Sequence, residues 1–330
     1  MIGRRQLKGA YFNLMRLMRR EAGLMRQIRE GDFLVVMNLH QISPHSNPYW
    51  PALHPRIFED LLGFVKKHFR TVLFRDLEAA AAASSSGKPL AILSFDDGYY
   101  DFIEYAAPLL DKHKLTANMN VIPACVESGQ AMWNVRLYDF LRAAPRKLIN
   151  EIRLPNFAGR LADDGEQAKV QYGLKISRYL KNRPHRERET LWQELMPLMQ
   201  KHDFPQTRMM TRGEVLEIAS RHEVGVHSFS HESMEYESDD FFAGDLERCR
   251  AYFQDTLRLP LEIYAFPNGS FRPRQIEILR QSAIRHVLLV GEDYAQSRLD
   301  VFPRFTIYGD SPAEVRLRAI GFDRGRREGA

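Results

Sequence analysis

The sequence predicts an α/β protein with one parallel sheet, because short apolar segments alternate with helical segments along most of its 330 residues. Such alternation is typical of a sheet that is either open or closed into a barrel. The composition agrees with a folded globular chain, since 44% of the residues are apolar and 27% are charged. No apolar run reaches the roughly 18 residues that a membrane-spanning helix requires, so no such helix is predicted.

The predicted elements follow one another in chain order. Residues 33–39 form the first apolar strand, and residues 55–69 have helical spacing of apolar side chains with a proline at the start. A second helix is predicted over residues 102–112. The later strands are predicted at residues 90–95, 116–122, 223–226, 263–266, 287–290 and 304–308.

Residues 1–31 are predicted to form a basic amphipathic helix. Its apolar side chains recur at spacings of three, four and seven: Leu7, Tyr11, Leu14, Met18, Met25 and Ile28. Residues 1–30 hold eight Arg or Lys and two Glu, a balance of +6; since the whole chain carries +5, the remainder carries −1. Arginines interrupt the segment, which therefore does not read as a signal peptide. The helix either packs on the main domain or lies on an anionic membrane surface or a partner.

The domain organisation follows from these patterns. Residues 32–310 are predicted to form the α/β domain, with a helical insertion at about 133–207 and a short basic tail at 311–330. Nucleic acid is not expected as a partner, because the basic residues belong to one terminal segment and not to a domain face. Two cysteines, Cys125 and Cys249, are too few for a disulfide framework, which suits a reducing compartment, although one bridge between them stays open.

Three polar motifs follow predicted strands. The first, S-F-D-D-G, contains the adjacent carboxylates Asp96 and Asp97, which repel each other unless a cation lies between them. The second, H-S-F-S-H, carries His227 and His231, whose spacing of four puts both on one side of a helical turn. The third is F-P-N-G, which ends at Gly269. Taken singly, each motif is better explained without a site: the first and third as turns, and the second as two unrelated surface histidines.

Together the motifs predict a site. The carboxyl ends of parallel strands meet at one edge of a barrel, and catalysis takes place there in such folds. Two histidines and one carboxylate leave coordination positions open, as hydrolytic zinc sites do. The second aspartate then remains free to act as a base.

The order of S-F-D-D-G, H-S-F-S-H and F-P-N-G resembles the polysaccharide deacetylase family, the NodB-homology fold of carbohydrate esterase family 4. The sequence Met210-Thr211-Arg212, which opens a helix, and Arg304 at the start of the last predicted strand agree with it. The resemblance covers about residues 33–125 and 208–310. It implies a distorted (β/α)7 barrel and metal-dependent removal of acyl groups from amino sugars.

The resemblance also implies roles for single residues. Asp97, His227 and His231 match the family's ligands for one divalent metal ion, for which we expect Zn²⁺, with Co²⁺ or Ni²⁺ as alternatives. Asp96 matches the general base.

The third motif and its surroundings match the family less completely. The backbone N–H of Asn268, next to Gly269, matches the oxyanion donor. The family's arginine that orients the base is replaced by Ala265 in this sequence. Arg304 on the last strand is our expected substitute.

A histidine acid is also missing from its usual C-terminal place, because no histidine follows His286. His286 precedes its predicted strand and should lie at the opposite end of the barrel. His40 follows the first strand, and its context Asn38-Leu39-His40 resembles deacetylases that carry an equivalent histidine near the N-terminus, including those of poly-β-1,6-N-acetylglucosamine. We predict that His40 is the acid; the alternative is a loop histidine without catalytic duty.

The expected function is hydrolysis of an acetyl group from an N-acetylated sugar of a glycan, glycan precursor or glycolipid. With no signal peptide recognised, a cytoplasmic, biosynthetic enzyme is expected, with residues 1–30 at the inner face of the membrane. The alternatives are a hydrolase of a non-sugar amide or imide, and an inactive carbohydrate-binding relative, at which Ala265 hints. Trp133 and Tyr138 either stack on a sugar or, as we favour, pack in the core.

Overall fold

The structure, a computed structural model, describes residues 4–83 and 87–325. Its strands are β1 (Val35–Leu39), β2 (Arg70–Thr71), β3 (Leu90–Asp97), β4 (Asn118–Val121), β5 (Glu223–Val226), β6 (Ile263–Ala265), β7 (His286–Val290) and β8 (Val301–Thr306). All are parallel, and β1 pairs with both β3 and β8, which closes β1 and β3–β8 into a barrel. The short strand β2 pairs with β3 outside the ring. The predicted (β/α)7 barrel with flanking helices is confirmed.

Helices cover the outside of the barrel. They are α1 (Arg4–Leu17), α2 (Arg20–Glu30), α3 (Pro55–His68), α4 (Leu77–Ala82), α5 (Ala107–His113), α6 (Pro123–Ser128), α7 (Trp133–Ala143), α8 (Arg146–Ile149), α9 (Glu166–Lys181), α10 (His185–Met199), α11 (Arg212–Ala219), α12 (Asp239–Ala251), α13 (Pro273–Arg280) and α14 (Pro312–Ala319). The helix predicted over residues 102–112 begins as a π-helical segment, Phe102–Ala106, and continues as α5. None of the described helices is long and apolar enough to cross a bilayer.

The barrel interior contains a layer of polar side chains in addition to its apolar ones. Ser94 donates to Asn118 at 2.8 Å, and the Asn120 amide donates to Ser94 at 3.2 Å and to Asp96 at 2.8 Å. All four side chains are buried. Because buried polar groups need partners, this network holds each side chain in one orientation below the barrel rim.

The helical insertion has a hydrophobic core of its own. Residues 133–207, all described, contain helices α7–α10 and no strand. Its core includes Leu137, Phe140, Leu141, Ile176, Leu180, Trp192 and Leu195. Tyr138 stacks on Tyr49 with ring centroids 4.1 Å apart, and Trp133 packs edge-on against Trp192 at 6.3 Å. Both aromatic side chains therefore serve packing, the option that we favoured above.

The N-terminal segment differs from the single helix that the apolar spacing predicted. Arg19 adopts a left-handed backbone conformation (φ 58°), which ends α1 and starts α2. Helix α2 buries Met25 and Ile28 in the main core, and α1 buries Phe12. The other side chains of the predicted stripe, Leu7, Tyr11, Leu14 and Met18, are exposed. Residues 1–3 of this segment lie outside the described residues.

Two predictions at the C-terminal end are wrong. The last strand is Val301–Thr306, so Arg304 lies inside it and not at its start. The segment predicted as a basic tail contains helix α14, whose Val315 and Leu317 lie in the main core. The segment was predicted as a tail because of its basic residues, but Arg316 and Arg318 alternate with the buried apolar side chains of the helix. Residues 326–330 lie outside the described residues. Cys125 and Cys249 are both free and buried.

Candidate active site

Five polar residues come together because parallel strands end at the same rim of the barrel. Asp96 and Asp97 are the last residues of β3, and His227 directly follows β5. His40 directly follows β1, and Asn268 lies just beyond β6. The rim of carboxyl ends is the edge at which (β/α) barrels carry their sites.

Three of the predicted ligands converge on one point. The Asp97 Oδ1 atom lies 3.6 Å from His227 Nε2 and 3.5 Å from His231 Nε2, and one ligand atom from each residue lies within 4.8 Å of the others. Asp97 Oδ1 is buried and accepts no hydrogen bond. A buried carboxylate oxygen without a donor is costly, and a divalent cation is the partner that suits one carboxylate and two imidazoles. The donor set therefore fits a metal ion.

His227 is held in the form that a metal requires. Its Nδ1 lies 2.9 Å from the backbone carbonyl oxygen of Ala265. The carbonyl can only accept, so Nδ1 carries the proton and the Nε2 lone pair points toward Asp97. The position that lacks the family's arginine thus contributes its backbone to the site.

His231 reaches the cluster through a tight turn and not through the helical turn that its spacing predicted. Ser228 (φ 55°) and His231 (φ 63°) both adopt left-handed backbone conformations. The Ser228 hydroxyl accepts a hydrogen bond from the backbone N–H of Glu232 at 2.9 Å. Left-handed residues are strained without support, so neighbouring contacts must hold this turn in place.

A buried ion pair supplies such support. The Arg188 guanidinium, on helix α10 of the insertion, donates to both oxygens of Glu232 at 2.5 and 2.8 Å. His185 Nδ1 lies 2.9 Å from the same carboxylate. Burial raises the pKa of Glu232, but the hydrogen bonds from His185 and Arg188 outweigh it and lower the pKa to about 2. The sequence analysis missed this pair, because nothing in the local pattern marks partners 44 residues apart.

Asp96 is hydrogen-bonded by Arg304, a residue of the last strand. Arg304 is fully buried and donates to the two carboxylate oxygens of Asp96 at 2.8 and 2.7 Å. Burial alone would raise the pKa of Asp96; the Arg304 charge and then the His227 ring outweigh it and hold that pKa well below its usual range. The structure therefore brings Arg304 to Asp96, the residue predicted to be the base, as expected for a substitute at Ala265.

Asp97 is in the opposite electrostatic situation. Burial and the neighbouring Asp96 charge raise its pKa well above the usual range, although a hydrogen bond from Tyr99 lowers it in part. A cation between the histidines and Asp97 favours the ionised carboxylate, which reverses this direction. The pKa values of the two adjacent aspartates thus shift in opposite directions, because Arg304 donates hydrogen bonds to Asp96 and not to Asp97.

His40 lies beside the same cluster. Burial lowers its pKa to about 4, and the Asp96 charge opposes that shift. Its ring meets Trp50 edge-on, with centroids 5.1 Å apart, and 45% of the Trp50 surface is exposed. The sequence analysis missed Trp50, for which the only signal was its place in the loop after His40.

The third motif forms a tight corner next to β7. Asn268 (φ 59°) and Gly269 (φ 63°) both have left-handed backbone conformations. The Asn268 amide donates to the Ser233 hydroxyl at 3.0 Å. A Cβ atom at Gly269 would lie 3.0 Å from Val290 Cβ, so a larger residue would push this corner away from the strand.

The closed parallel barrel with an Asp–His–His set at the carboxyl ends of its strands is consistent with a NodB-like (β/α)7 barrel. The family model "Polysaccharide deacetylase" matches residues 183–287, which include His227, His231 and the third motif. The resemblance to that family is thereby confirmed. A search among curated proteins finds no match.

Solved structures share the fold over most of the chain. The Streptococcus pyogenes deacetylase PplD in complex with acetate has a TM-score of 0.58 and 16% identity, covering 87% of this chain and 98% of that one. IcaB from Ammonifex degensii has a TM-score of 0.54 and 19% identity, covering 88% and 97%. A de-N-acetylase from Aggregatibacter actinomycetemcomitans has a TM-score of 0.56 and 15% identity, covering 86% of this chain and 99% of that one. At these identities the likeness shows the fold.

Proposed function

We propose that the protein is a metal-dependent hydrolase that removes the acetyl group from an N-acetylated sugar. The observation that carries the proposal is the donorless Asp97 oxygen between His227 and His231, next to an ionised Asp96. The family match and two of the structural relatives, a deacetylase in complex with acetate and a de-N-acetylase, support the same reaction.

Asp97, His227 and His231 would hold the metal ion, for which Zn²⁺ is our first choice and Co²⁺ or Ni²⁺ are alternatives. When bound, such an ion polarises the acyl carbonyl and makes water a stronger acid. Asp96 accepts the proton of the attacking water, and Arg304 keeps the Asp96 carboxylate ionised and correctly turned.

The remaining steps need an oxyanion donor and an acid. The backbone N–H of Asn268, in the corner that Gly269 permits, donates to the oxyanion of the tetrahedral intermediate. His40 protonates the departing amine. Because burial lowers its pKa to about 4, His40 is neutral in the free site and must gain a proton during the reaction. The proton that the attacking water releases is the available one, and Asp96 lies close enough for its charge to act on His40.

The proposed substrate is a sugar of a glycan, glycan precursor or glycolipid. The exposed Trp50 ring beside His40 offers an apolar face against which a sugar ring can pack. A cytoplasmic enzyme that works at the inner face of the membrane is our proposal for its location; nucleic acid is not a proposed partner.

The test is release of acetate by purified, metal-loaded protein from a panel of N-acetylated sugars, lipid-linked sugars and simple amides. Asp96→Asn keeps the shape but removes the base, so we expect hydrolysis to fall by roughly 10²-fold or more while metal content stays unchanged. His227→Ala should instead lose the metal, because it removes one of only three protein ligands. Metal content is measured by elemental analysis of each variant.

Other results would change the assignment. Turnover of amides without turnover of any sugar would favour a non-sugar amidase or imidase. A wild-type protein that binds metal and sugar but hydrolyses nothing would favour an inactive carbohydrate-binding relative. Full metal occupancy in His227→Ala would contradict the ligand set.

A further inference from the structure

Helix α1 presents a continuous apolar face to solvent. Leu7, Tyr11 and Leu14 recur at spacings of four and three, which places them on one side of the helix, and Met18 continues this row in the turn that directly follows α1. Their exposed fractions are 57%, 45%, 51% and 66%. Among the described residues, four of the nine exposed large apolar side chains belong to this one face. Single exposed apolar residues are ordinary, but a clustered row on one helix indicates a binding surface.

The apolar face is not a core face that has lost its contacts, because α1 already packs on the protein through another side. Phe12 is buried and meets Phe322 with ring centroids 5.5 Å apart. Lys8 Nζ lies 2.7 Å from a carboxylate oxygen of Glu314 and 3.6 Å from one of Asp310. These contacts fix the rotation of α1, so Leu7, Leu14 and Met18 face solvent. Tyr11 lies at the margin of the row, because its ring also meets Phe322 edge-on with centroids 6.4 Å apart.

The net charge of the N-terminal segment indicates which kind of surface the apolar face fits. Helix α1 contains four basic residues, Arg4, Arg5, Lys8 and Arg16, and no acidic one. The Lys8 charge is already paired with Glu314. The side chains of Arg19, Arg20, Arg26 and Arg29 just beyond it are exposed. A second copy of the chain is a poor occupant, because it would bring two segments of charge +6 together. An anionic lipid surface matches both the charge and the apolar row.

We propose that α1 docks the protein on an anionic membrane, with Leu7, Tyr11, Leu14 and Met18 inserted at the level of the lipid headgroups. Lys8 contacts Asp310, in the segment that follows β8, so the first half of α1 lies beside the catalytic rim. The docked protein therefore holds its site close to the membrane, where a lipid-linked sugar would be presented. The docking rests on α1 alone and does not depend on the proposed reaction.

The experiment measures binding of the full-length protein to vesicles by co-sedimentation. Vesicles of phosphatidylcholine with phosphatidylglycerol are compared with vesicles of phosphatidylcholine alone. We expect binding to the anionic vesicles only, and its loss when salt rises from about 0.1 M to about 1 M, because the Debye length falls from about 10 Å to about 3 Å.

A triple variant tests the apolar row without changing charge. Leu7→Ser/Leu14→Ser/Met18→Ser should bind anionic vesicles at least about tenfold more weakly, because the apolar area available for insertion is lost. Its melting temperature should match the wild type, since these side chains are exposed. The matched control is Leu174→Ser/Leu216→Ser/Leu299→Ser, which removes three exposed leucines elsewhere and should leave vesicle binding unchanged.

Several outcomes would overturn the proposal. One is equal sedimentation with both kinds of vesicle, and another is unchanged binding of the triple variant. A wild-type protein that does not bind vesicles also overturns it. If that protein forms a dimer and the triple variant does not, the occupant of the apolar face is a second copy of the chain. Deacetylase activity on a soluble sugar is measured in parallel and should be the same in all variants, so that a failure of docking is distinct from a failure of the proposed reaction.

Discussion

At the scale of single residues, the pairing of Asp96 with Arg304 decides what the first motif can do. Both side chains are buried, and two hydrogen bonds join them. Without the guanidinium, burial would favour the neutral acid, which cannot accept a proton. In the proposed reaction Arg304 would therefore be a positioning residue that acts through Asp96.

We predict that Arg304→Met lowers turnover and moves the acidic limb of the pH–activity profile to higher pH. The sign follows from the proposed role of Asp96 as the base, which requires its ionised form. Loss of Arg304 raises the pKa of Asp96, so ionisation is complete only at higher pH. The pH dependence of kcat/KM measures the shift. A merely structural arginine would lower activity without moving the limb.

Arg304→Lys is the matched control. A lysine keeps the charge but offers no planar pair of donors, so it should restore the pH limb while leaving part of the loss in turnover. A pH limb that moves equally in both variants would contradict the electrostatic role.

At the scale of secondary-structure elements, the insertion is joined to the active site through helix α10. Arg188 on that helix is 4% exposed and holds Glu232, the residue after His231. The insertion therefore also stabilises the turn that carries a predicted metal ligand, in addition to forming its own core.

Replacing one partner of this pair should be strongly destabilising. We expect Arg188→Met to lower the free energy of unfolding by about 3–5 kcal/mol, because the Glu232 carboxylate would remain buried without the two hydrogen bonds that Arg188 donates. Urea unfolding of the metal-free protein measures the change. Arg186→Met on the same helix is the control, since Arg186 is exposed and should change stability by no more than about 0.5 kcal/mol.

The double variant Arg188→Met/Glu232→Met separates charge from packing. With both charges removed, most of the lost stability should return, because no uncompensated ion stays buried. A double variant as unstable as Arg188→Met would show that the loss comes from packing around the methionine.

At the scale of the whole molecule, the N-terminal segment both supports the barrel and exposes a face. Phe12, Leu24, Met25 and Ile28 are all buried in the main core. Each fully buried apolar side chain of this size contributes roughly 1.5–3 kcal/mol. The two interpretations of residues 1–30, a packed helix and a docking helix, therefore apply to different sides of the same segment.

We predict that deletion of residues 1–30 lowers the melting temperature strongly and exposes apolar surface, because it uncovers part of the core. Thermal unfolding and binding of a hydrophobic dye measure both effects. Leu7→Ser, at an exposed position of the same segment, should leave the melting temperature unchanged. A truncated protein that melts like the wild type would contradict the packing of α2 on the barrel.

Local pattern was enough to predict the strands and the positions of the motifs. Apolar runs bounded by polar turns placed β5 at its observed bounds and β1, β3, β4, β6 and β7 within two residues at each end. The motifs could be predicted to share one rim because parallel strands in such a barrel all end on the same side. The apolar periodicity of residues 1–31 likewise predicted helix, although it did not predict the break at Arg19 between α1 and α2.

Tertiary structure alone decided which distant side chains meet. Arg304 and Asp96 are 208 residues apart, and Arg188 and Glu232 are 44 apart, so no local period relates them. Tertiary contacts also decided which side of α1 is buried. The spacing predicted an apolar row, but the folded chain buries Phe12 and leaves that row exposed. The physical reason is that periodicity records which residues share a side of an element, whereas burial and pairing depend on what the folded chain brings against that side.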